Sequence, residues 1–326
     1  MSAVTLATFL GIHSIRDVGQ ATIIGIINGA SYALLGMGFA LILGVTGRFH
    51  FAYGIGFTFT AYIAALGVGP WGLALVPAAI LGIIVGILLG VACEALVYRP
   101  LAARAGEQAL LGVFVASLGL VIAGENFIPE VWGNNTRPLG GFPDHTYTVA
   151  KLVFTRLELT LVILAVVIAV VMTLVLNRTI LGQQIKAVSA NPDMASAVGV
   201  NVGRIFLVVF ALGSLIGGIA ALFTGMRFAV TPTMGDTSVF YAFVVAFVAG
   251  VTRSPRFVAA VGLLIGLIES LSTLWVSQTE SSITVFGLLL VWLTIRVLPT
   301  AIRQLSGALS GRGVPRSAAE ARKAVS

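Results

Sequence analysis

Charged and amide side chains are rare within the long apolar stretches of this 326-residue sequence, and they are the first candidates for chemistry. Each such group costs about 2.5–3.5 kcal/mol at the middle of a bilayer unless it faces a cavity or a partner. A polar residue in such a place therefore marks either a solute path or a bond between helices. The candidates are Asn28, Glu94, Glu125, Asn126, Arg227 and Glu269.

These six residues differ in depth. Glu94 and Arg227 lie near the ends of apolar stretches, where a long side chain can extend to the membrane surface, so contact with a solute is the less expected role for both. Glu125 and Asn126 also lie toward the end of their stretch. Glu269 lies deeper, and there a simple hydrogen bond between helices is as well supported as a place on a solute path.

The stretch 44–56 combines glycines with closely spaced rings. Gly47, Gly54 and Gly56 interrupt the helical pattern, as in a broken helix whose unwound backbone lines a cavity. The alternative is an interfacial turn with a belt of aromatic residues. We favour the cavity, and the sequence leaves open whether 46–54 crosses the membrane or re-enters it. The ring-bearing residues are Phe49, His50, Phe51 and Tyr53.

The polar stretch 178–204 contains a short helix with signals at both ends. Asn191 can cap its first amides, Pro192 suits the first helical position, and Gly199 favours termination. Two turns of helix are unstable alone and need a surface to pack on. The alternatives are a docking helix for a separate soluble subunit and a plain surface loop. The residues assigned to docking are Ala187, Asn191, Pro192, Met194, Ala195, Ser196, Gly199 and Val200.

Several function classes lack support in the sequence. No phosphate-binding loop of the Gly-x-x-x-x-Gly-Lys-Ser/Thr type occurs, and His13, His50 and His145 are too far apart in sequence to suggest a metal site. We therefore expect no catalytic residue, no metal and no cofactor in this chain, and any ATP must be hydrolysed by another subunit. The net charge of +7 does not indicate nucleic acid, because the basic residues flank apolar stretches.

Composition identifies the class of fold. The chain is 58% hydrophobic and 10% charged, with a mean hydropathy of +1.05, far outside the range of soluble domains. We predict an all-α polytopic membrane protein, a bundle of about eight or nine transmembrane helices with one cytoplasmic coupling helix, embedded in a lipid bilayer. The predicted spans are 20–45, 51–69, 71–97, 108–128, 157–177, 204–228, 238–252, 257–276 and 281–300.

The distribution of basic residues predicts the orientation. Most lie in 99–107, 178–204, 253–256 and the C-terminal segment, so this side is cytoplasmic by the positive-inside rule. The loop 129–155 and the N-terminus then lie outside. We divide the chain into an N-terminal segment (1–19), a transmembrane domain (20–303) and a basic, disordered cytoplasmic tail (304–326).

Glycines recur four residues apart in several predicted spans. This spacing lets helix backbones approach closely, which in lipid replaces the missing hydrophobic drive for association. It predicts a tightly packed bundle. The series are Gly25 and Gly29; Gly82, Gly86 and Gly90; Gly213 and Gly217; and Gly262 and Gly266.

Several sequence segments, each weak alone, together form a specific pattern through their order and spacing. They are Asn28-Gly29-Ala30-Ser31-Tyr32-Ala33-Leu34, Phe51-Ala52-Tyr53-Gly54, Glu94-Ala95-Leu96-Val97-Tyr98-Arg99-Pro100-Leu101, Ser117-Leu118-Gly119-Leu120, Ala187 to Asn201, and Gly266-Leu267-Ile268-Glu269-Ser270-Leu271. From about Gln20 to Arg303 the chain resembles the permease subunits of branched-chain amino acid (Liv-type) ABC importers.

The resemblance implies partners and a place in the cell. Two related permease subunits would assemble with two ATP-binding cassette subunits, which bind ATP and Mg²⁺, and with an extracytoplasmic solute-binding protein. The 178–204 loop would be the element that docks on the ATPase. The chain would lie in the cytoplasmic (inner) membrane of a bacterium with its C-terminus in the cytoplasm.

The sequence departs from the family where cargo would pass. His50 and Tyr53 stand where the family usually has Asn and His, and Glu125 stands where Gln is common. The segment 252–256 replaces a glycine-rich turn. The solute therefore stays open among branched-chain amino acids and related small amino acids, amides and carboxylates.

We expect cargo to pass a cavity lined by the first two spans and the Glu269 span. The rival interpretations are an ion-gradient-driven transporter, with Glu125 and Glu269 as coupling carboxylates, and a structural membrane protein without cargo. The residues assigned to the pathway are Asn28, Tyr32, His50, Phe51, Tyr53, Gly54, Glu125, Asn126 and Glu269.

Overall fold

The computed structural model describes residues 15–105, 109–143, 145–250, 254–276, 283, 285–287, 290–292 and 294. The ninth predicted span lies largely outside these residues, and the basic tail 304–326 lies wholly outside them.

The described chain is a bundle of helices with one small β-hairpin. Its elements in chain order are α1 (Ile15–Thr46), α2 (Tyr53–Val68), α3 (Leu75–Ala92), a π-helix (Cys93–Tyr98), α4 (Arg99–Ala105), α5 (Ala109–Trp132), β1 (Thr146–Val149), β2 (Leu152–Thr155), α6 (Arg156–Arg178), α7 (Ile180–Ala190), α8 (Pro192–Ala197), α9 (Val202–Phe228), α10 (Met234–Ala249) and α11 (Pro255–Ser272).

Six helical stretches of this part of the chain are long and apolar enough to cross a membrane: α1, α3 with its continuation to Arg104, α5, α6, α9 and α11. The first eight predicted spans each coincide with a helix, and six of these are long enough to be candidate membrane spans. Two of the eight, α2 and α10, have 16 residues each and reach about 24 Å, less than the roughly 30 Å of hydrocarbon. The chain is a multi-pass membrane protein in which two apolar helices are shorter than a full crossing.

Helix α1 is the centre of the bundle and contacts α6, α9, α10 and α11. Its backbone meets that of α11 directly, because a Cβ added to Gly266 would lie 2.2 Å from the Gly29 nitrogen. A Cβ on Gly29 would lie 2.7 Å from Leu263 Cα. The close packing predicted from glycine spacing is confirmed at this helix pair.

The predicted interruption after the first span is also present. Helix α1 ends at Thr46, Gly47 has a φ of +67°, and α2 begins only at Tyr53. The intervening residues return into the protein, where His50 is 1% exposed. A bare turn at the membrane surface would leave these side chains accessible, so the interruption lies within the bundle.

The loop 129–155 contains strands that the all-α prediction missed. Strands β1 and β2 pair antiparallel with Thr146 opposite Thr155, and the Gln20 side chain hydrogen-bonds both backbone groups of Val153, each at 2.9 Å. The side-chain amide of Gln20 thus pairs with backbone groups at the edge of β2 that would otherwise need hydrogen bonds from water. The hairpin fastens the loop to the start of α1, and this end of the bundle is called the hairpin end.

The polar stretch 178–204 holds two helices and not one. Thr179 caps α7 by accepting a hydrogen bond from the Gly182 amide, and Ser189 of α7 donates to the Gly44 carbonyl at the end of α1, at 2.6 Å. Helix α7 was not predicted because its polar surface resembles a loop in composition. It fastens α8 to the bundle, and this opposite end is called the α8 end.

Candidate functional site

A polar cavity lies between α1, α9, α10 and α11 at the hairpin end. Its volume is about 380 Å³, within the range of small-molecule sites. The first span and the Glu269 span line it as predicted, but α9 and α10 take the place expected for the second span, α2. The lining residues are Ile24, Asn28, Ser31, Tyr32, Leu35, Thr224, Arg227, Phe228, Met234, Thr237, Ser238, Tyr241, Glu269, Ser270 and Thr273.

Glu269 forms the acidic side of the cavity. Its two carboxyl oxygens accept hydrogen bonds from the hydroxyls of Tyr32 and Tyr241, each at 2.5 Å, and the two rings stack with centroids 4.2 Å apart. Three helices therefore fix one carboxyl group that is only 6% exposed. Short hydroxyl–carboxylate bonds of this kind stabilise an anion away from water.

Arg227 forms the basic side. It donates to the Asn28 side-chain oxygen at 2.7 Å and to Glu158 Oε1 at 3.1 Å. Glu158 is itself fixed at the start of α6, where it forms a capping box with Thr155. The expectation that Arg227 extends to the membrane surface is wrong, because the side chain turns into the bundle and is 17% exposed.

Four predicted pathway residues, His50, Phe51, Tyr53 and Gly54, do not line this cavity. The His50 Nδ1 lies 2.9 Å from the Tyr98 hydroxyl, and Tyr53 is 3% exposed with its hydroxyl 3.4 Å from the Leu35 carbonyl. A neighbouring void beside His50 and Tyr53 measures about 10 Å³, room for about one water. The rings of His50 and Tyr53 therefore leave little open space beside them, whereas Gly44 and Val45, at the start of the same stretch, line a separate cavity of about 450 Å³.

Glu125 and Asn126 on α5 also lie away from the cavity. The Asn126 amide is exposed and donates back to the Ile122 carbonyl of its own helix at 2.7 Å. The Glu125 side chain lies near that of Asp236, at the start of α10. Of the nine predicted pathway residues, the structure brings together Asn28, Tyr32 and Glu269.

The geometry of α8 matches the signals read from the sequence. The Asn191 side chain accepts from the Met194 amide at 3.0 Å, Pro192 is at the first position, and Gly199 has a φ of +88°. Ala195 is 3% exposed and packs into the chain, whereas Met194 and its neighbour one turn on, Val198, are 68% and 79% exposed. The predicted helix and its caps are confirmed, and it presents two apolar side chains outward.

One known protein family matches a part of the chain that includes both the polar cavity and α8. The family described as branched-chain amino acid transport system / permease component matches residues 21–294. The chain belongs to this permease family. The resemblance read from the sequence segments is confirmed.

Relatives of this permease span nearly its whole length. The high-affinity branched-chain amino acid transport system permease protein BraD of Pseudomonas aeruginosa is 25% identical, over 87% of this chain and 94% of BraD. The corresponding LivH protein of Escherichia coli is 24% identical, over 85% and 92%. The structure of PsaBC from Streptococcus pneumoniae in complex with Fab is 12% identical, with a TM-score of 0.47, over 88% of this chain and 95% of that chain.

Glu94 has a structural role in this permease that its position near the end of an apolar stretch did not predict. Glu94 is fully buried and forms an ion pair with Arg48 of the helix break, and the Arg99 Nε lies 3.7 Å from its other oxygen. Arg99 also donates to the Gly203 carbonyl at the start of α9, at 2.5 Å. The expected extension of Glu94 to the surface is wrong. The π-helix turns this carboxylate inward and joins three elements near the α8 end.

Proposed function

We propose that this chain is the membrane-spanning permease subunit of an ATP-driven importer of a small amino acid or a related amide or carboxylate. The observation that carries the proposal is the cavity between α1, α9, α10 and α11, which brings an arginine and a buried carboxylate to the same open space. The Glu94–Arg48 pair, in contrast, does not line this cavity. The relatives named as branched-chain amino acid permeases support the same assignment.

The two sides of the cavity suit the two charges of an amino acid. Arg227 has five N–H donors, and its bonds to Asn28 and Glu158 leave donors for a solute carboxylate. On the other side, Glu269 can accept a bond from a solute ammonium group. Leu35 and Met234 add apolar surface for a side chain. The proposed solute is a small zwitterion. A small amide or carboxylate would bind through only one of the two charged sides.

The two ends of the bundle suit different partners. We assign the hairpin end to the outside of the cytoplasmic (inner) membrane, where an extracytoplasmic solute-binding protein would deliver solute to the cavity. The α8 end then faces the cytoplasm, where Met194 and Val198 offer an apolar contact to one of two ATP-binding cassette subunits that bind ATP and Mg²⁺. A second, related permease subunit completes the path. The number of crossings is eight or nine, and the C-terminus is cytoplasmic.

Uptake of radiolabelled leucine and of small amides into right-side-out vesicles that contain ATP, with the solute-binding protein added outside, tests the proposal. We expect Glu269→Gln to raise the solute concentration for half-maximal uptake at least about tenfold, because a bond to a charged group contributes about 1.5–3 kcal/mol. Glutamine keeps the shape and one acceptor for the tyrosine hydroxyls. Protein abundance in the membrane should stay the same.

Glu125→Gln is the matched control, because it makes the same chemical change in another helix outside the cavity. It should leave the half-maximal concentration unchanged. Equal effects of the two variants would remove the cavity from the path. Uptake that persists without ATP and collapses with a protonophore would instead support the ion-gradient transporter.

A further inference from the structure

An apolar groove of about 480 Å³ runs along the bundle between α6 and α11, with α1 as its floor. Ala30 and Ala33 form the floor, and the wall on α6 is a helical stripe that runs from Val162 to Leu174. Arg256 and Thr173 are the only polar residues among those that line the groove. The Thr173 hydroxyl donates a hydrogen bond to the Ala169 carbonyl of its own helix at 2.7 Å. The groove is therefore hydrocarbon-like except at the single cation, Arg256.

The length of the groove is close to the thickness of half of the hydrocarbon core. From Val162 to Leu174 a helix rises about 18 Å, and half of the hydrocarbon core is about 15 Å thick. On α11 the lining runs from Arg256 to Leu263, the half of that helix nearer the α8 end. On α6 the lining lies in the middle of the helix, and on α1 it runs from Ile26 to Ala33.

Positive charge marks the end of the groove nearest α8. Arg256 lies in the first turn of α11, and Arg178 ends α6 one turn after Leu174, on the same stripe. Neither arginine belongs to the ion pairs found among the residues placed by the structure. Guanidinium groups at the depth of the headgroups bind phosphate well, and the amides of the first turn of α11 add to the attraction.

None of the described residues after Thr273 lines the groove. Phe286 packs on α10, with its ring centroid 6.1 Å from that of Phe240 and 6.4 Å from that of Tyr241. No residue of α10 lines the groove. Phe286 thus lies beside Tyr241, which lines the polar cavity and not the groove.

We propose that this groove binds an anionic glycerophospholipid of the leaflet at the α8 end, with an acyl chain along Ala30 and Ala33 and the phosphate at Arg256 and Arg178. The two faces of α1 would then have different ligands. One face borders the solute cavity through Asn28 and Tyr32, and the other holds lipid. The site does not depend on which solute is transported.

Native mass spectrometry of the full-length protein in mild detergent tests this site. Phosphatidylglycerol and phosphatidylcholine with identical chains are titrated separately. We expect phosphatidylglycerol to bind more tightly, and Arg256→Gln to weaken it about fivefold, since one basic residue near a headgroup contributes a factor of this size. The double variant Arg256→Gln, Arg178→Gln should bind phosphatidylglycerol more weakly still. Arg204→Gln, an exposed arginine at the same end but outside the groove, should bind like the original chain.

A second variant tests the apolar part without changing charge. Ala260→Phe fills the groove and should reduce the binding of both lipids. Equal binding of the two lipids by the original chain, or equal effects of Arg256→Gln and Arg204→Gln, would overturn the proposal. So would binding of soluble glycerol phosphate as strong as that of the lipid, which would indicate a site for free anions. Loss of a second permease copy from the Ala260→Phe complex, with lipid binding unchanged, would identify a protein occupant.

Discussion

The pair formed by Arg227 and Glu158 shows how one residue can serve both structure and transport. Both side chains are largely buried, at 17% and 15% exposed. Removing one partner from such a pair leaves an uncompensated charge, and that cost exceeds the net benefit of the pair itself. Glu158 also caps α6 through Thr155, but glutamine can fill the same capping role. The charge and the cap can therefore be separated by mutation.

We expect Arg227→Met to destabilise the protein by on the order of 3 kcal/mol, because Glu158 would stay charged without a partner. Arg227→Met combined with Glu158→Gln should recover most of this loss, since the capping bonds survive and no charge is left buried. Thermal unfolding of the detergent-solubilised protein measures both. A double variant that is as unstable as the single variant would show that the arginine acts through shape and not through charge.

Among individual residues, only some of those that line the cavity could be predicted from the sequence. Asn28, Tyr32 and Glu269 could be identified because polar atoms in apolar helices stand out. Tyr241 could not, because a tyrosine with one hydroxyl resembles any other ring in a buried helix. Its role depends on stacking with Tyr32 across two helices, a long-range contact that spacing along one helix does not encode.

At the scale of elements, α8 combines local signals with one buried anchor. Asn191, Pro192 and Gly199 fix its ends, and Ala195 packs inward while Met194 faces outward. Six residues are too few for a stable isolated helix, so these caps and the contact with α7 hold it. The caps could be predicted because they act over three or four residues. The hairpin β1–β2 could not, because its stability depends on Gln20, more than 130 residues away.

The termination of α8 can be tested at one position. No atom lies within 4 Å of a Cβ built on Gly199, so only its φ of +88° restricts the residue there. We expect Gly199→Val to cost about 1–2 kcal/mol locally, to unwind the end of α8 and to reduce ATP-dependent uptake severalfold, with the protein still present in the membrane. Gly199→Asn should keep most of the uptake, since asparagine tolerates this conformation. Equal uptake by the two variants would contradict a role for the shape of α8 in coupling.

At the scale of the whole molecule, α1 links the two ends. Its Gly44 carbonyl is bonded to Ser189 of α7, and Asn28, sixteen residues earlier and about 24 Å away along the helix, lines the cavity. Its backbone is in direct contact with that of α11, which also lines the cavity. We propose that a subunit docked at the α8 end opens the cavity through this pair of helices.

Such a mechanism requires that the hairpin and α8 lie on opposite sides of the membrane, and this can be measured directly. Cys93, the single cysteine, is first replaced by serine, and one cysteine is then introduced by Thr148→Cys in the exposed hairpin or by Ser196→Cys in exposed α8. A membrane-impermeant maleimide should label the hairpin cysteine in right-side-out vesicles and the α8 cysteine only in inverted ones, while detergent makes both reactive. The reverse pattern would invert the assigned orientation and place the cavity toward the cytoplasm. Labelling of both from one side would contradict a bundle whose two ends face different compartments, and α1 could then not carry a signal across the membrane.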